Sequence, residues 1–240
     1  MPSSPAVRRA VATSTALCLG LVLSACSPAE PVSPSPTVSE PTPAAAVAPA
    51  PPGTVDDEGG FIAIGAGATV VDLYVDPMCP YCKLFEQTSG AHLVDEAQAG
   101  HVTLRVHPVA ILNRLSRGTD YSTRAAAVLT AATKTNPDAA APLLAALYVA
   151  QPAENTAGLS DEHLVDLAIG AGADPALREE DLTDTRAWVD THTAAATTGP
   201  LSSTREIPSI EHVPTVVVNG AVFPGNSTDT AAFAAFLASH

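Results

Sequence analysis

Hydrophobic and polar positions along the chain predict alternating strands and helices from residue 61 onward. Phe61–Ile64 and Thr69–Val75 are short apolar runs rich in β-branched or aromatic residues, and this composition favours strands. His101–Val106 predicts a further strand, which His107–Pro108 ends because proline restricts the backbone of the residue before it. Val213–Val218 is another strand-forming run far downstream. The pattern therefore indicates a sheet whose strands are separated by helical segments.

A hairpin and a helix are predicted at the C-terminal end of the chain. Asn219–Gly220 follows the last strong strand and leads into Ala221–Phe223. Asn-Gly is the preferred two-residue hairpin turn because both residues tolerate positive φ. Thr228–Ser239 then predicts a helix with its large apolar side chains on one face.

The long interval at residues 111–211 predicts a set of helices. Ala125–Thr133 and Pro142–Val149 are rich in alanine and leucine, and residues 185–198 continue the same helical pattern. Ser160 stands just before another apolar helical pattern, where a serine hydroxyl can accept a bond from an unpaired amide of the first turn. The interval is therefore predicted to be a helical insertion between two strands.

The first 25 residues have the pattern of an export signal. Arg8 and Arg9 precede the uncharged apolar stretch Ala10–Leu23, which is shorter than the ~20 residues that cross a bilayer. The sequence Leu23-Ser24-Ala25-Cys26 resembles the bacterial lipobox, and this resemblance implies that Cys26 is lipidated after cleavage. The alternative is an ordinary cleaved signal in which Cys26 is incidental.

Residues 26–58 are predicted to form a tether between this signal and the folded domain. Proline, alanine, serine and threonine dominate the segment, and such a composition buries too little apolar surface to fold. It favours an extended polyproline II conformation. Alternatively, the segment binds a proline-recognising partner, although it contains no specific motif for one. The folded domain is accordingly predicted at residues 59–240.

The charge balance limits the partners of the chain. Its 240 residues include 11 Lys and Arg against 25 Asp and Glu, for a net charge of -14. Such an acidic surface repels phosphate groups, which argues against nucleic acid or anionic lipid headgroups as electrostatic partners. The membrane contact predicted here is the lipid anchor alone.

The sequence has four cysteines, at positions 18, 26, 79 and 82. Two belong to the predicted export and lipidation signal, and two are candidates for redox chemistry. Cys18 leaves with the signal, whereas Cys79 and Cys82 follow a predicted strand and open a predicted helix. A helix N-terminus stabilises a thiolate through its unpaired amides and dipole. Cys79 is therefore predicted to attack disulfides and Cys82, one turn later, to resolve the mixed disulfide.

Two other interpretations of the cysteine pair compete with redox chemistry. A structural disulfide would close a loop with only two residues between the cysteines and would stabilise the fold little through loop entropy. Half of a four-ligand metal site would need further ligands, and only a zinc site completed by histidine remains open. We expect no metal and no cofactor beyond a redox-active Cys79–Cys82 disulfide.

From Cys79-Pro80-Tyr81-Cys82 after a strand, Val213-Pro214-Thr215 before a hairpin, and the helical interval, the chain resembles the thioredoxin superfamily, specifically the DsbA-like thiol–disulfide oxidoreductases. The resemblance implies an α/β thioredoxin-like fold with a helical insertion. It implies that Pro214 is cis and packs against the active-site disulfide. It also implies that the Val213 backbone, Pro80 and Tyr81 contact substrate.

One departure from the superfamily concerns a buried acid that many members carry six positions before the first cysteine. That position is Leu73 here, and Asp72 is predicted to face the other side of the sheet because side chains alternate along a strand. Asp76 is interpreted as a loop residue at the start of the helix. If it lay near Cys79, its charge would raise the pKa of the thiol.

The sequence thus predicts an extracytoplasmic lipoprotein of the cell membrane that exchanges disulfides with unfolded or cysteine-containing secreted proteins. A membrane redox partner is expected to reset its disulfide. Val213 before the proline favours the oxidase direction, whereas Pro80-Tyr81 also occurs in the reducing glutaredoxins. An envelope reductase or isomerase is the first alternative, and a non-catalytic binding lipoprotein with the same fold is the second.

Overall fold

The computed structural model describes residues 53–240, which build a six-stranded mixed sheet with helices packed against it. The strands are β1 Val55–Asp56, β2 Phe61–Ile64, β3 Thr69–Val75, β4 Val102–Pro108, β5 Thr215–Val218 and β6 Ala221–Val222. The helices are α1 Pro80–Phe85, α2 Ala91–Gln98, α3 Tyr121–Thr135, α4 Ala140–Val149, α5 Asp161–Gly170, α6 Thr183–Thr198 and α7 Thr230–Ser239. The predicted signal, Cys26 and the tether up to residue 52 lie outside the described residues.

The sheet has the strand order β1-β2-β4-β3-β5-β6. Strands β3 and β4 are parallel, and every other neighbouring pair is antiparallel. Two parallel strands need a crossover, which α1 and α2 supply together with the π-helical turn Glu86–Gly90 between them. Because Val71, Leu73 and Val75 are buried, β3 lies at the centre of the core and fixes the segment that follows it.

The Asn-Gly hairpin is present between β5 and β6. Asn219 has φ 47° and Gly220 φ 92°, as a primed turn requires. The Asn219 side chain also accepts a hydrogen bond from the Val70 amide at 2.8 Å, which fastens the turn to β3. The turn chemistry predicted from two residues is thereby confirmed.

Helices α3 to α6 form the predicted insertion between β4 and β5. Helix α3 is buried along nearly its whole length, because its small side chains, such as Ala125 and Ala126, let neighbouring helices approach closely. The Ser160 hydroxyl accepts from the His163 amide at 3.2 Å, which confirms the predicted cap of α5. No helix within residues 53–240 is long and apolar enough to cross a membrane.

Two strand boundaries differ from the prediction. Strand β4 continues through His107 and Pro108, where the sequence predicted its end. Proline lacks an amide hydrogen, but the bond to the Val75 carbonyl comes from the next residue, Val109, at 2.8 Å. Strand β5 begins at Thr215 rather than Val213, because the Val213–Pro214 segment belongs to the loop that faces the cysteines.

The boundary between tether and domain is also corrected. Strand β1 lies inside the predicted tether, so the fold already includes residues before position 59. The Gly53 amide donates to the Ala63 carbonyl at 2.7 Å, and the Ala63 amide donates to the Thr54 carbonyl at 2.9 Å. This backbone pairing with β2 does not depend on side-chain pattern, and the sequence pattern therefore missed it.

Candidate active site

Cys79 and Cys82 lie at the start of α1, directly behind the end of β3. Cys79 is the N-cap residue with an extended backbone, and Pro80 occupies the first turn, where its missing amide hydrogen costs no bond. The Cys79 amide donates to the Asp76 carbonyl at 3.0 Å, which closes the turn between strand and helix. Both residues are free thiols, with Cys79 4% and Cys82 1% exposed.

The two thiols have opposite electrostatic environments. The pKa of Cys79 is lowered, first by a hydrogen bond from the Cys82 side chain and then by backbone bonds from Cys82 and Tyr81. The pKa of Cys82 lies well above its ordinary value because the thiol is fully buried. The structure thus gives Cys79 the thiolate character of an attacking group and keeps Cys82 protonated, the asymmetry that resolving chemistry uses.

The Val213–Pro214 segment lies against the thiols. The Cys79 Sγ donates to the Val213 carbonyl oxygen at 3.3 Å, although 134 positions separate the two residues. The Val213–Pro214 peptide bond is cis, as the family resemblance implied. Val213 therefore borders the reactive sulfur, and Pro214 follows it in the same cis segment.

An apolar groove of about 300 Å³ begins beside the cysteine pair. Its walls include Tyr81, Phe85, Val213, Pro214, Val222 and Phe223. Tyr81 is 63% exposed and stands at one side of the groove, while Pro80 is exposed next to it. The family resemblance implied Tyr81, Val213 and Pro214 near the substrate, but sequence reasoning missed Phe85 at the end of α1 and Phe223 just after β6.

Asp76 is a fully buried carboxylate just before the cysteine pair. It accepts three hydrogen bonds, from the Met78 amide at 2.8 Å, the Leu112 amide at 2.9 Å and the Ser122 hydroxyl at 2.6 Å. Burial nevertheless raises its pKa to about 6. Asp76 lies in the loop before the helix, as predicted, but its burial and its three hydrogen bonds were not predicted from the sequence.

Residues of the helical insertion donate hydrogen bonds to the backbone carbonyls of the same loop. The Tyr148 hydroxyl, at the end of α4, donates to the Asp76 carbonyl at 3.3 Å. The Gln151 side-chain amide donates to the carbonyls of Pro77 at 3.0 Å and Cys79 at 2.9 Å. The insertion thus positions the active-site turn, a role that carries no sequence motif.

Two further acids, Asp72 and Glu86, lie in this part of the fold, and neither occupies the position six residues before Cys79. The Asp72 carboxylate accepts a hydrogen bond from His107 Nε2 at 2.8 Å, and the buried Leu73 fills the position six residues before Cys79. Glu86, in the next turn of the helix, has its pKa raised to about 6 by burial. Within residues 53–240 no group of three or more His, Cys, Asp or Glu side chains has the arrangement of metal ligands.

A family profile described as thioredoxin matches residues 59–237. The chain belongs to the thioredoxin family. The predicted thioredoxin-like fold with a DsbA-type insertion is confirmed by solved structures as well. Oxidised DsbA from Mycobacterium tuberculosis is 28% identical with a TM-score of 0.59, over 71% of this chain and 82% of that chain.

Two further structures show the same fold. Reduced disulfide bond oxidoreductase DsbG from Mycobacterium tuberculosis is 26% identical with a TM-score of 0.58, over 71% of this chain and 77% of that chain. Oxidised BdbD from Bacillus subtilis is 20% identical with a TM-score of 0.60, over 75% of this chain and 92% of that chain. At this lower identity BdbD supports the fold alone.

One curated relative is a much longer protein with a different name. Over 123 residues, half of this chain, the sequence is 30% identical to the serine/threonine-protein kinase PknE of Mycobacterium tuberculosis. The match covers 22% of the kinase, so this chain spans about a fifth of that protein's length. We therefore transfer no kinase activity to this protein.

Proposed function

We propose that this protein is an extracytoplasmic thiol–disulfide oxidoreductase that donates disulfides to secreted proteins. The observation that carries the proposal is the unequal cysteine pair, in which Cys79 at a helix N-terminus has a lowered pKa and buried Cys82 a raised one. The cis Val213–Pro214 segment beside Cys79 completes the arrangement. A family membership and two oxidoreductase structures above 25% identity support disulfide exchange in general.

In the oxidase direction the reaction begins with a disulfide between Cys79 and Cys82. A substrate thiolate attacks the Cys79 sulfur, so that a mixed disulfide forms and Cys82 leaves and takes up a proton. A second substrate thiolate then attacks the substrate sulfur of the mixed disulfide and releases Cys79 as a thiolate. Two electrons have passed from the substrate to the cysteine pair, and a redox partner must remove them before the next cycle.

The groove beside Cys79 suggests how a substrate segment is held. Apolar side chains next to a substrate cysteine would fill the space between Tyr81 and Phe223, while polar groups of the segment pair with the backbone at Val213. Unfolded proteins present such apolar segments, whereas folded proteins bury them. We therefore assign unfolded, cysteine-containing proteins as substrates.

A reductase is the second candidate, and one observation favours it. The charge of Asp76 raises the pKa of both thiols and so opposes the lowered pKa of Cys79. A less stabilised thiolate makes a couple more reducing, toward the ~-270 mV of thioredoxin and away from the ~-120 mV of DsbA.

The deciding experiment measures the potential of the Cys79–Cys82 couple together with two activities, oxidation of a reduced unfolded protein and reduction of insulin. We expect a potential above about -150 mV and oxidase activity. A potential near that of thioredoxin with insulin reduction would favour the reductase. If Cys79→Ser and the wild type behave alike in both assays, the protein is a binding lipoprotein without redox catalysis.

The proposed location depends on residues outside the described part of the chain. We propose that Cys26 carries the lipid and that the following proline-rich tether holds the domain away from the membrane. The Cys26→Ala variant should lose membrane association, and Cys18→Ala is the matched control because Cys18 leaves with the signal. Membrane association that survives Cys26→Ala would contradict lipid anchoring.

A further inference from the structure

Asp76 places a carboxylate inside the turn that carries the reactive thiol. Its Oδ1 accepts from the Met78 amide at 2.8 Å, and Cys79, the next residue, donates its own amide to the Asp76 carbonyl at 3.0 Å. The chain thus folds around the carboxylate immediately before the sulfur. The side chain is 0% exposed, so water does not screen its charge from its surroundings.

The groups that face Asp76 offer it hydrogen bonds but little positive charge. Ser122 and Tyr121 face it from α3, Tyr148 from α4 and Glu154 from the loop after α4, and the two thiols face it from α1. The hydroxyls are neutral and Glu154 is acidic.

A cation on α3 is engaged elsewhere. Arg124 pairs with Asp161 at 2.8 Å and lies over the ring of Tyr121. The charge of Asp76 therefore acts on its neighbours without a counter-ion among the groups that face it. Its strongest partners remain the two amides and the Ser122 hydroxyl, which stabilise the ionised form by hydrogen bonding.

We infer that the ionised Asp76 carboxylate is a positioning charge that shifts the Cys79–Cys82 couple in the reducing direction by disfavouring the Cys79 thiolate. This inference rests on the proposed thiol–disulfide function. The sign follows from thiolate stability: a thiolate that is less stable destabilises the reduced pair and makes the couple more reducing. Protonation of Asp76 removes the opposing charge and makes the couple more oxidising.

Burial and hydrogen bonding act in opposite directions on the charge of Asp76. Burial raises the pKa of Asp76 to about 6, so that the group is ionised near neutral pH and protonated in mild acid. The Ser122 hydroxyl lowers that pKa by donating to the ionised form. Ser122 is therefore expected to tune the pH at which the opposing charge disappears.

The test uses the reduced protein and measures the Cys79 thiolate by its ultraviolet absorbance from pH 3 to pH 10. We expect Asp76→Asn to lower the pKa of Cys79 by about one unit, since a like charge this close disfavours the thiolate. We also expect the equilibrium with glutathione at pH 7.5 to shift about tenfold toward the reduced protein, which corresponds to ~30 mV. When the glutathione equilibrium is measured near pH 5, the difference between Asp76→Asn and the wild type should shrink. At that pH Asp76 of the wild type is protonated in both the reduced and the oxidised protein.

Two variants keep the test decisive if Asp76→Asn folds poorly. Ser122→Ala keeps the carboxylate but removes one donor, so a smaller shift in the same direction is expected. Asp72→Asn is the matched control, since Asp72 is a buried acid of β3, four positions before Asp76, and its side chain pairs with His107 instead of the thiol turn. It should leave the Cys79 pKa unchanged.

The outcomes separate the inference from the proposed function. If Asp76→Asn and Ser122→Ala lose stability but leave the thiol pKa and the glutathione equilibrium unchanged, Asp76 is structural and the inference is overturned. A control Asp72→Asn that shifts the thiol pKa equally would also overturn it. The titration needs no substrate turnover, so it gives an answer even if the wild type fails both activity assays.

Discussion

The contact between Gln151 and the active-site turn provides a direct test of how the helical insertion holds the cysteines. One side-chain amide donates to two carbonyls, those of Pro77 at 3.0 Å and Cys79 at 2.9 Å. A hydrogen bond contributes ~1 kcal/mol net. Gln151 is only partly buried, so water replaces some of this when the side chain is removed. We expect Gln151→Ala to cost about 1 to 2 kcal/mol of unfolding free energy.

The charge variant at the same position sharpens the test. Gln151→Glu keeps the size of the side chain but replaces the donor with acceptor oxygens, which repel the two carbonyl oxygens at this partly buried site. The cost should then exceed that of Gln151→Ala, at about 3 kcal/mol. We therefore expect the free energy of unfolding to be highest for the wild type, lower for Gln151→Ala and lowest for Gln151→Glu.

Thermal unfolding followed by circular dichroism measures these differences. For a domain of this size 1 kcal/mol shifts the midpoint by ~2 to 4 °C, so Gln151→Ala should unfold about 4 °C lower. Gln98→Ala is the control, because Gln98 is exposed at the end of α2. Equal midpoints for Gln151→Ala and Gln98→Ala, or for Gln151→Ala and Gln151→Glu, would show that the Gln151 hydrogen bonds do not stabilise the active-site turn.

Two further predictions concern stability. The pKa of Asp76 and that of Glu86 are both raised to about 6, so between pH 4 and 6 the folded state holds protons that the unfolded chain has lost. The free energy of unfolding should therefore fall as the pH rises through this window, and Asp76 alone should account for ~3 kcal/mol of the loss. Denaturant unfolding at pH 4.5 and at pH 7 measures the difference, and equal free energies of unfolding at the two pH values would count against the burial of these acids. Gly220→Ala should cost ~1 kcal/mol because φ is 92° there, whereas Gly170→Ala in α5 should stabilise by ~0.5 to 1 kcal/mol. Equal midpoints for the two alanine variants would contradict this contrast.

Local sequence determined the parts of the molecule whose interactions lie within a few residues. The apolar runs of β2 and β3, the Asn219–Gly220 turn and the Ser160 cap all appear as predicted, because each depends on neighbours in the chain. The placement of Cys79 at the start of α1 belongs to the same class. The cis conformation of Pro214 and its place beside the cysteines were predicted through the family resemblance. Without that resemblance, the residues around Pro214 indicate only the start of a strand.

Only the tertiary structure decided the surroundings of the thiols. The burial of Asp76 could not be predicted from the sequence, because its partners Leu112 and Ser122 lie 36 and 46 positions away. Gln151 reaches the turn across 72 positions, and no motif marks it. Burial and pairing between distant segments set the charge, the pKa values and the shape of the site, and such contacts arise only when the whole chain packs around one core. The sequence thus determined which sulfurs are present and on which helix, while the fold determined what electrostatic environment they share.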